Sequence, residues 1–222
     1  MPAQAILLWS GGKDSALALY EAREAHEVTA LITTVTEGYD RVSMHGVRVA
    51  LLERQARALG LPLEKVTIPP ACSNADYEAR MLDALRRHRR AGVELAIAGD
   101  IFLEDVRRYR EALLAAAGMR GVFPLWHREP RELAEQFIGL GFRAVLCCVD
   151  SRALAGSFTG REYDRALLAD LPEGADVCGE NGEFHTFVHA GPSFERPVRY
   201  TLGERVLRDE RFWYVDLIPE GG

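Results

Sequence analysis

The sequence predicts an α/β protein, a doubly wound parallel sheet followed by a smaller C-terminal α+β domain. Three observations predict it. Apolar runs bounded by turn residues alternate with segments of helical spacing from Ala5 to Trp126. The first of these runs, Ala5 to Trp9, is apolar without alternation, as expected of a parallel strand buried on both faces. Beyond residue 126 the regular alternation stops, and long polar segments with several glycines follow. The boundary is therefore placed between residues 1–126 and residues 127–222.

The first strand feeds directly into Ser10-Gly-Gly-Lys-Asp-Ser15, and a helix-like run leaves it from Ala16 to Ala25. Gly11 and Gly12, without Cβ atoms, let backbone amides approach an anion, and the helix turns its unpaired N–H groups toward the same point. Spacing decides which phosphate loop this is. A Walker A loop needs Gly-Lys followed by Ser or Thr, and here Asp14 follows Lys13. The dinucleotide fingerprint also fails, because the glycines are adjacent and no third one follows three residues later. The motif instead resembles the loop of the ATP pyrophosphatases of the adenine nucleotide α-hydrolase superfamily. That resemblance implies ATP cleavage to AMP and pyrophosphate, with Ser10, Gly11, Gly12, Lys13, Asp14 and Ser15 around the departing pyrophosphate. It also implies the strand order 3-2-1-4-5.

Val28 to Val35 is rich in β-branched residues and reads as the second strand. In the superfamily the backbone just past this strand meets the adenine edge, so the resemblance places Thr33 and Thr34 near the base. A polar segment from Glu37 to His45 precedes a helix from Val47 to Leu59 that ends at Gly60. His45, just before Gly46, is either a substrate-binding group or a helix-entry residue. The third strand runs from Leu63 to Ile68 and stops at Pro69-Pro70, and Asp76 to Ala91 reads as a helix with Met81, Leu82 and Leu85 on its apolar face. Its run Arg86-Arg-His-Arg-Arg90 reads as a solvated face.

Glu94 to Asp100 is a strand that delivers a glycine and then an acid. Ligands of open parallel sheets lie beyond the carboxyl ends of the strands, so Asp100 is read as a functional acid that meets magnesium, with helix capping as the plainer reading. Glu104 to Ala117 is helical, and Gly121 to Trp126 is the fifth strand or its end. In the second domain, Glu132 to Leu140 is helical and Phe142 to Val149 strand-like, with Cys147 and Cys148 on opposite faces. Arg161 reaches an anionic ligand or forms a surface ion pair. Val177 to Phe187 concentrates Glu180, Asn181, Glu183, His185 and Thr186 around two glycines. Glu183 and His185 share a face if the strand has begun by then. Acid/base work, magnesium ligation and binding of an ammonium-like group are all open to this set. Phe212 to Ile218 is a last strand that either finishes this domain's sheet or pairs with another chain.

Composition sets the class. With 222 residues, 48% hydrophobic and 27% charged, the chain can bury a sizeable core. No apolar run approaches the ~20 residues of a membrane helix, so no membrane partner is expected. The start, Met1-Pro-Ala-Gln, lacks the features of a signal peptide, and a cytoplasmic protein is expected. A net charge of −6 argues against a general nucleic-acid surface. Cys72, Cys147, Cys148 and Cys178 form no C-x-x-C pair, which argues against zinc and thioredoxin-type sites.

Taken together, Ser10 to Ser15, Met44-His-Gly46, Ala98-Gly-Asp-Ile101 and Cys178-Gly-Glu-Asn-Gly-Glu-Phe-His-Thr186 resemble the diphthine–ammonia ligase family over nearly the whole chain. The resemblance implies an ATP-dependent, amide-forming ligase. Such an enzyme adenylates a carboxylate, diphthine on elongation factor 2 or a related acceptor, releases pyrophosphate and lets ammonia displace AMP. ATP, Mg2+ and free ammonium are the implied partners. Asp14 or Asp100 would hold the metal, Asp100, Glu180, Glu183 and His185 form the catalytic set, and His45, Arg161 and Asn181 form the substrate-binding set. The family pattern Gly-Glu-x-Gly-Glu-x-Glu-Thr has an acid where this chain has His185, a variation carried by bacterial relatives, so the implied acceptor is diphthine or another carboxylate. Two other classes fit the loop, a PP-loop tRNA-modifying enzyme and a non-catalytic adenine-nucleotide sensor. The acidic charge balance and scattered cysteines weigh against the first, and the acid-rich second domain is unexplained by the second. Oligomer formation is open.

Overall fold

The structure, a computed structural model, describes residues 2–39, 41 and 46–221. Its first half is the predicted parallel sheet. Strands β1 (Ala3–Leu8), β2 (His26–Thr36), β3 (Leu63–Ile68), β4 (Leu95–Ile97) and β5 (Arg120–Val122) lie in the order β3-β2-β1-β4-β5, all parallel. The order reverses beside β1, so the crevice for a ligand opens where the phosphate loop leaves that strand. The apolar run of β1 has a direct cause. Ala5 and Leu7 face one apolar cluster with α1 (Lys13–Ala22) and α2 (Val49–Ala58), and Ile6 faces another with Met81, Leu85 and Leu114. Those last residues come from α3 (Asn74–Arg90) and α4 (Glu104–Ala116). Among the described residues no helix is long and apolar enough to cross a membrane.

The second half holds α5 (Pro130–Gly139), β6 (Arg143–Asp150), α6 (Arg165–Asp170), β7 (Phe184–Ala190), β8 (Tyr200–Arg208) and β9 (Phe212–Pro219). Its strands form an antiparallel sheet in the order β7-β6-β9-β8. Phe137, Val145, Phe187 and Leu217 belong to the same apolar cluster as Leu7, Leu19 and Leu51, so the two sheets share a core.

Several boundaries differ from the sequence reading. β2 continues through Thr36, which leaves Thr33 and Thr34 inside the strand, paired with Lys65 and Val66, rather than past its end. β4 stops at Ile97, and β5 stops at Val122 before Phe123 and Trp126 close a turn. β7 begins only at Phe184, so Glu183 lies ahead of the strand and shares no strand face with His185. β9 sits between β6 and β8 inside the sheet, and the outer position belongs to β8, an element the sequence reading did not anticipate. The arginine run of α3 is solvated as expected, with Arg87 paired to Glu64 and Asp83 and Arg89 donating to the Gly118 carbonyl.

Candidate active site

The loop after β1 is held in place from the C-terminal sheet. Gly11 has φ of 80°, open to glycine at little strain, and a Cβ there would lie 2.8 Å from Gln55 Oε1. The amide of Lys13, at the first turn of α1, donates to Thr186 Oγ1 at 3.0 Å, and the Val188 amide donates to the Gly11 carbonyl at 2.9 Å. A Cβ on Gly12 would lie 3.2 Å from the Thr186 carbonyl oxygen, tighter than an ordinary contact, so β7 approaches the loop closely here. Within the loop, the Gly12 amide donates to Ser10 Oγ at 3.2 Å, and Ser15 Oγ donates to the Gly12 carbonyl at 2.9 Å. Gln55 braces the junction. Wholly buried, it accepts from Trp9 Nε1 at 3.1 Å and donates to the carbonyls of Gly11 at 3.0 Å and Val188 at 2.6 Å.

A cleft of about 850 Å³ opens over this loop. Ser10, Gly12, Lys13, Asp14 and Ser15 line one side, Gly99, Asp100 and Arg110 a second, and Cys178 to Gly182 with His185 and Thr186 a third. Arg211 and Phe212 come from the β8–β9 hairpin. Lys13 is buried, with Nζ 2.6 Å from Asp14 Oδ1. Burial pulls its pKa down, but Asp14, Cys178 and Glu180 outweigh burial and hold the ammonium above its usual range. Glu180 Oε1 accepts from the Ile101 amide at 2.9 Å. Burial, reinforced by Asp14 and Asp100, pushes its carboxyl up to about 7 against the bonds from Ile101 and the pull of Lys13. Burial and then Lys13 lower His185 to about 4, so its imidazole is neutral at pH 7. Asp100 receives Arg110 on both oxygens, at 2.7 and 3.1 Å.

The structure thus brings the phosphate loop, Asp100, Glu180, Asn181 and His185 to one cleft. Other expected site residues lie elsewhere. Glu183 is buried, and its Oε1 accepts from the Asp176 amide and Asn181 Nδ2, both at 3.1 Å, while Oε2 has no hydrogen-bond partner among the described residues. Its carboxylate shapes the turn and does not line the cleft. Arg161 pairs with Asp170 at 2.7 Å and lies over the Phe158 ring, the surface reading of that residue. Thr33 and Thr34 are absent from the cleft lining for the reason of register given above. His45 lies outside the described residues. The sequence reading missed Gln55, Arg110 and Arg211, and it named Thr186 without its part in holding the loop. A signal existed for the first, since a glutamine stands among the apolar positions of α2.

Among the described residues no cluster of three or more His, Cys, Asp or Glu side chains is arranged to hold a metal. Magnesium needs only one or two carboxylates when phosphate oxygens and water complete its shell. Asp14, on the cleft lining and partly exposed, fits that part, whereas both oxygens of Asp100 are taken by Arg110.

Residues 3–121 match the family model described as the diphthamide synthase N-terminal domain, and residues 129–217 match the diphthamide synthase C-terminal domain. A protein of Danio rerio named diphthine–ammonia ligase is 26% identical over 228 residues, covering 91% of this chain and 88% of its own. Proteins of the same name from Rattus norvegicus and Homo sapiens are 22% and 24% identical, each covering 90% of this chain and 84% of their own. A solved structure described as a predicted subunit of a tRNA methyltransferase, from Methanocaldococcus jannaschii, aligns with 88% of this chain and all of its own at 14% identity. Its TM-score of 0.44 is too low to bear on function.

Proposed function

This chain belongs to the diphthamide synthase family, and we propose that it is an ATP-dependent ligase that turns a carboxylate, diphthine on elongation factor 2 or a close analogue, into its amide. One observation carries the reading. A phosphate-binding loop and a carboxyl poised near neutral pH, from opposite halves of the chain, wall a single cleft.

The chemistry follows from the residues. A carboxylate oxygen of the acceptor attacks the α-phosphorus, the bond to the β-phosphate breaks, and pyrophosphate leaves. The loop amides and the Lys13 ammonium hold the charge that develops on pyrophosphate, where fixed donors in a confined site act most strongly. Ammonia then attacks the acyl carbon and AMP leaves with the bridging oxygen. Free ammonium supplies the nitrogen, and Glu180, with its carboxyl at about 7, takes the proton that ammonium must lose. Neutral His185 and Asn181 orient the acceptor, and Asp100 holds Arg110 at the cleft wall. Magnesium, when bound, would neutralise phosphate charge, with Asp14 as its protein ligand. The thiols argue against a persulfide route to base modification: Cys72, which is not buried, lies off the cleft, and burial pushes Cys148 up to about 11 and Cys178 up to about 12.

Product analysis of ATP turnover, with and without ammonium and with elongation factor 2 bearing diphthine, tests the reading. AMP and pyrophosphate formed in step with a new amide are expected. Tight ATP binding without AMP would point to a sensor, and AMP appearing only with tRNA to base modification; either overturns the ligase.

A further inference from the structure

The outer strand of the C-terminal sheet has one side without a partner. Among the described residues β8 pairs with β9 alone, and its other edge ends the sheet. At the opposite edge, β7 is covered by the phosphate loop through Thr186 and Val188. Proteins usually protect a long edge with proline, lysine or a bulge. β8 has neither proline nor lysine, and its bulge, between Leu202 and Arg205, leaves a regular ladder from Arg205 to Arg208. Leu202 and Leu207 on β8 and Ile218 on β9 are 49%, 45% and 41% exposed, three of the five exposed large hydrophobic residues among those described.

An edge strand that pairs antiparallel with the same strand of a second copy does so about a two-fold axis normal to the sheet, so one residue faces its own counterpart. Charge chooses which. Centring on Glu204 or Arg205 sets like charges opposite each other. Centring on Val206 sets valine against valine and Arg205 against Leu207 within the regular ladder, and brings Glu204, at the end of the bulge, toward Arg208 of the partner subunit, twice by symmetry. Glu204 and Arg208 are both exposed, and neither makes a side-chain hydrogen bond or ion pair among the described residues. We propose that β8 is the seam of a homodimer, paired about Val206, that joins two four-stranded sheets into one.

The seam bears on the cleft. The β8–β9 hairpin carries Arg211 and Phe212 into the cleft wall, and its tip residues Asp209 and Glu210 both have positive φ, 50° and 51°. A tight turn of two non-glycine residues in that region is strained, and a second strand along β8 would hold it. The inference does not depend on the ligase reading.

Sedimentation velocity of the full chain across a micromolar concentration series is the test, with a species of twice the 24.7 kDa chain mass expected. Glu204→Arg and Arg208→Glu each place two like-charge pairs across the seam, and each raises the dimer dissociation constant by roughly 10-fold or more. The double variant Glu204→Arg/Arg208→Glu restores the pairs and the dimer. Mixing the two single variants yields a heterodimer, because each then carries the charges that the other lacks. Circular dichroism of each variant confirms that the exposed substitutions leave the fold intact. A wild-type monomer throughout the series overturns the proposal. So do single variants that dimerise like wild type, or a double variant as weak as the singles.

Discussion

Replacing Gln55 by leucine separates the two halves of the site at their junction. The side chain is wholly buried and makes three hydrogen bonds, from Trp9 Nε1 and to the carbonyls of Gly11 and Val188. Leucine keeps most of the volume and removes all three. The indole N–H becomes a buried donor without an acceptor, whereas the Gly11 carbonyl keeps the Val188 amide at 2.9 Å. One orphaned donor and two carbonyls that each lose a donor together cost about 3 kcal/mol. For a chain of 222 residues, each kcal/mol moves Tm by roughly 2–4 °C, so the midpoint falls about 6–12 °C. The loop carbonyl also loses its brace, and ATP affinity drops by about 10-fold, or 1.4 kcal/mol. Thermal unfolding and calorimetric titration with ATP, run beside wild type, measure both. A midpoint within about 2 °C of wild type together with unchanged ATP affinity would refute the brace. Gln55→Glu is the companion. Its carboxylate can still accept from Trp9 but sits against two carbonyls, so the folded state favours the protonated form and the folded pKa rises. That variant's stability is fully present below the unfolded value of about 4.3 and is lost as pH rises through the folded value.

Other outcomes follow from the same geometry. Because the Glu180 carboxyl sits at about 7, amide formation climbs with pH through about 7 to a plateau, and a profile of kcat/KM that lacks this inflection in wild type removes Glu180 as the base. Gly99→Ala builds a Cβ 2.7 Å from the Asp14 carbonyl carbon and 3.0 Å from the Ser15 amide nitrogen. Those atoms are backbone and cannot rotate away, so a loss of about 1–3 kcal/mol in urea unfolding and weaker ATP binding are expected. Iodoacetamide at pH 7.5 labels Cys72 and spares Cys147, Cys148 and Cys178, whose thiols burial raises; rapid labelling of Cys178 in the folded protein contradicts this. Chelation of divalent cations weakens ATP binding at least ~10-fold if Asp14 meets phosphate through magnesium, and equal affinity with and without chelator removes that assignment.

How much of this was legible depends on where the cause of each feature lies. The phosphate loop was readable because strand, glycines and helix are contiguous, and β1 was readable because both of its faces are buried. β8 was not. Its residues are mostly exposed, so no buried face writes a period of two into its sequence. Glu180 and Glu183 look alike in sequence, three residues apart in one polar turn. What separates them is Asp176, whose amide turns Glu183 inward and whose Oδ2 accepts the Glu180 amide at 2.8 Å. Likewise, Arg107, Arg108 and Arg110 all follow Asp100 on α4, and only the phase of the helix against the end of β4 selects Arg110 as its partner.

The cleft is charged but close to balanced, and that balance bears on how it meets ATP. Each of its cations has an acid at contact distance: Lys13 with Asp14 at 2.6 Å, Arg110 with Asp100 at 2.7 Å, and Arg211 with Asp150 at 2.5 Å. A polyphosphate therefore gains little from net charge. Its recognition falls to directed donors, the first-turn amides of α1 other than those of Gly12 and Lys13, which donate to Ser10 and Thr186, and the N–H groups that the arginines have not committed. Directed donors are useful only while the backbone that carries them is fixed. Here the amide of Lys13 is oriented by Thr186 and the carbonyl of Gly11 by Val188 and Gln55. Two of those three residues belong to β7, so the antiparallel sheet is a structural part of the phosphate site. A change in β7 caused by an acceptor bound against Glu180 and His185 would reach the loop through two hydrogen bonds.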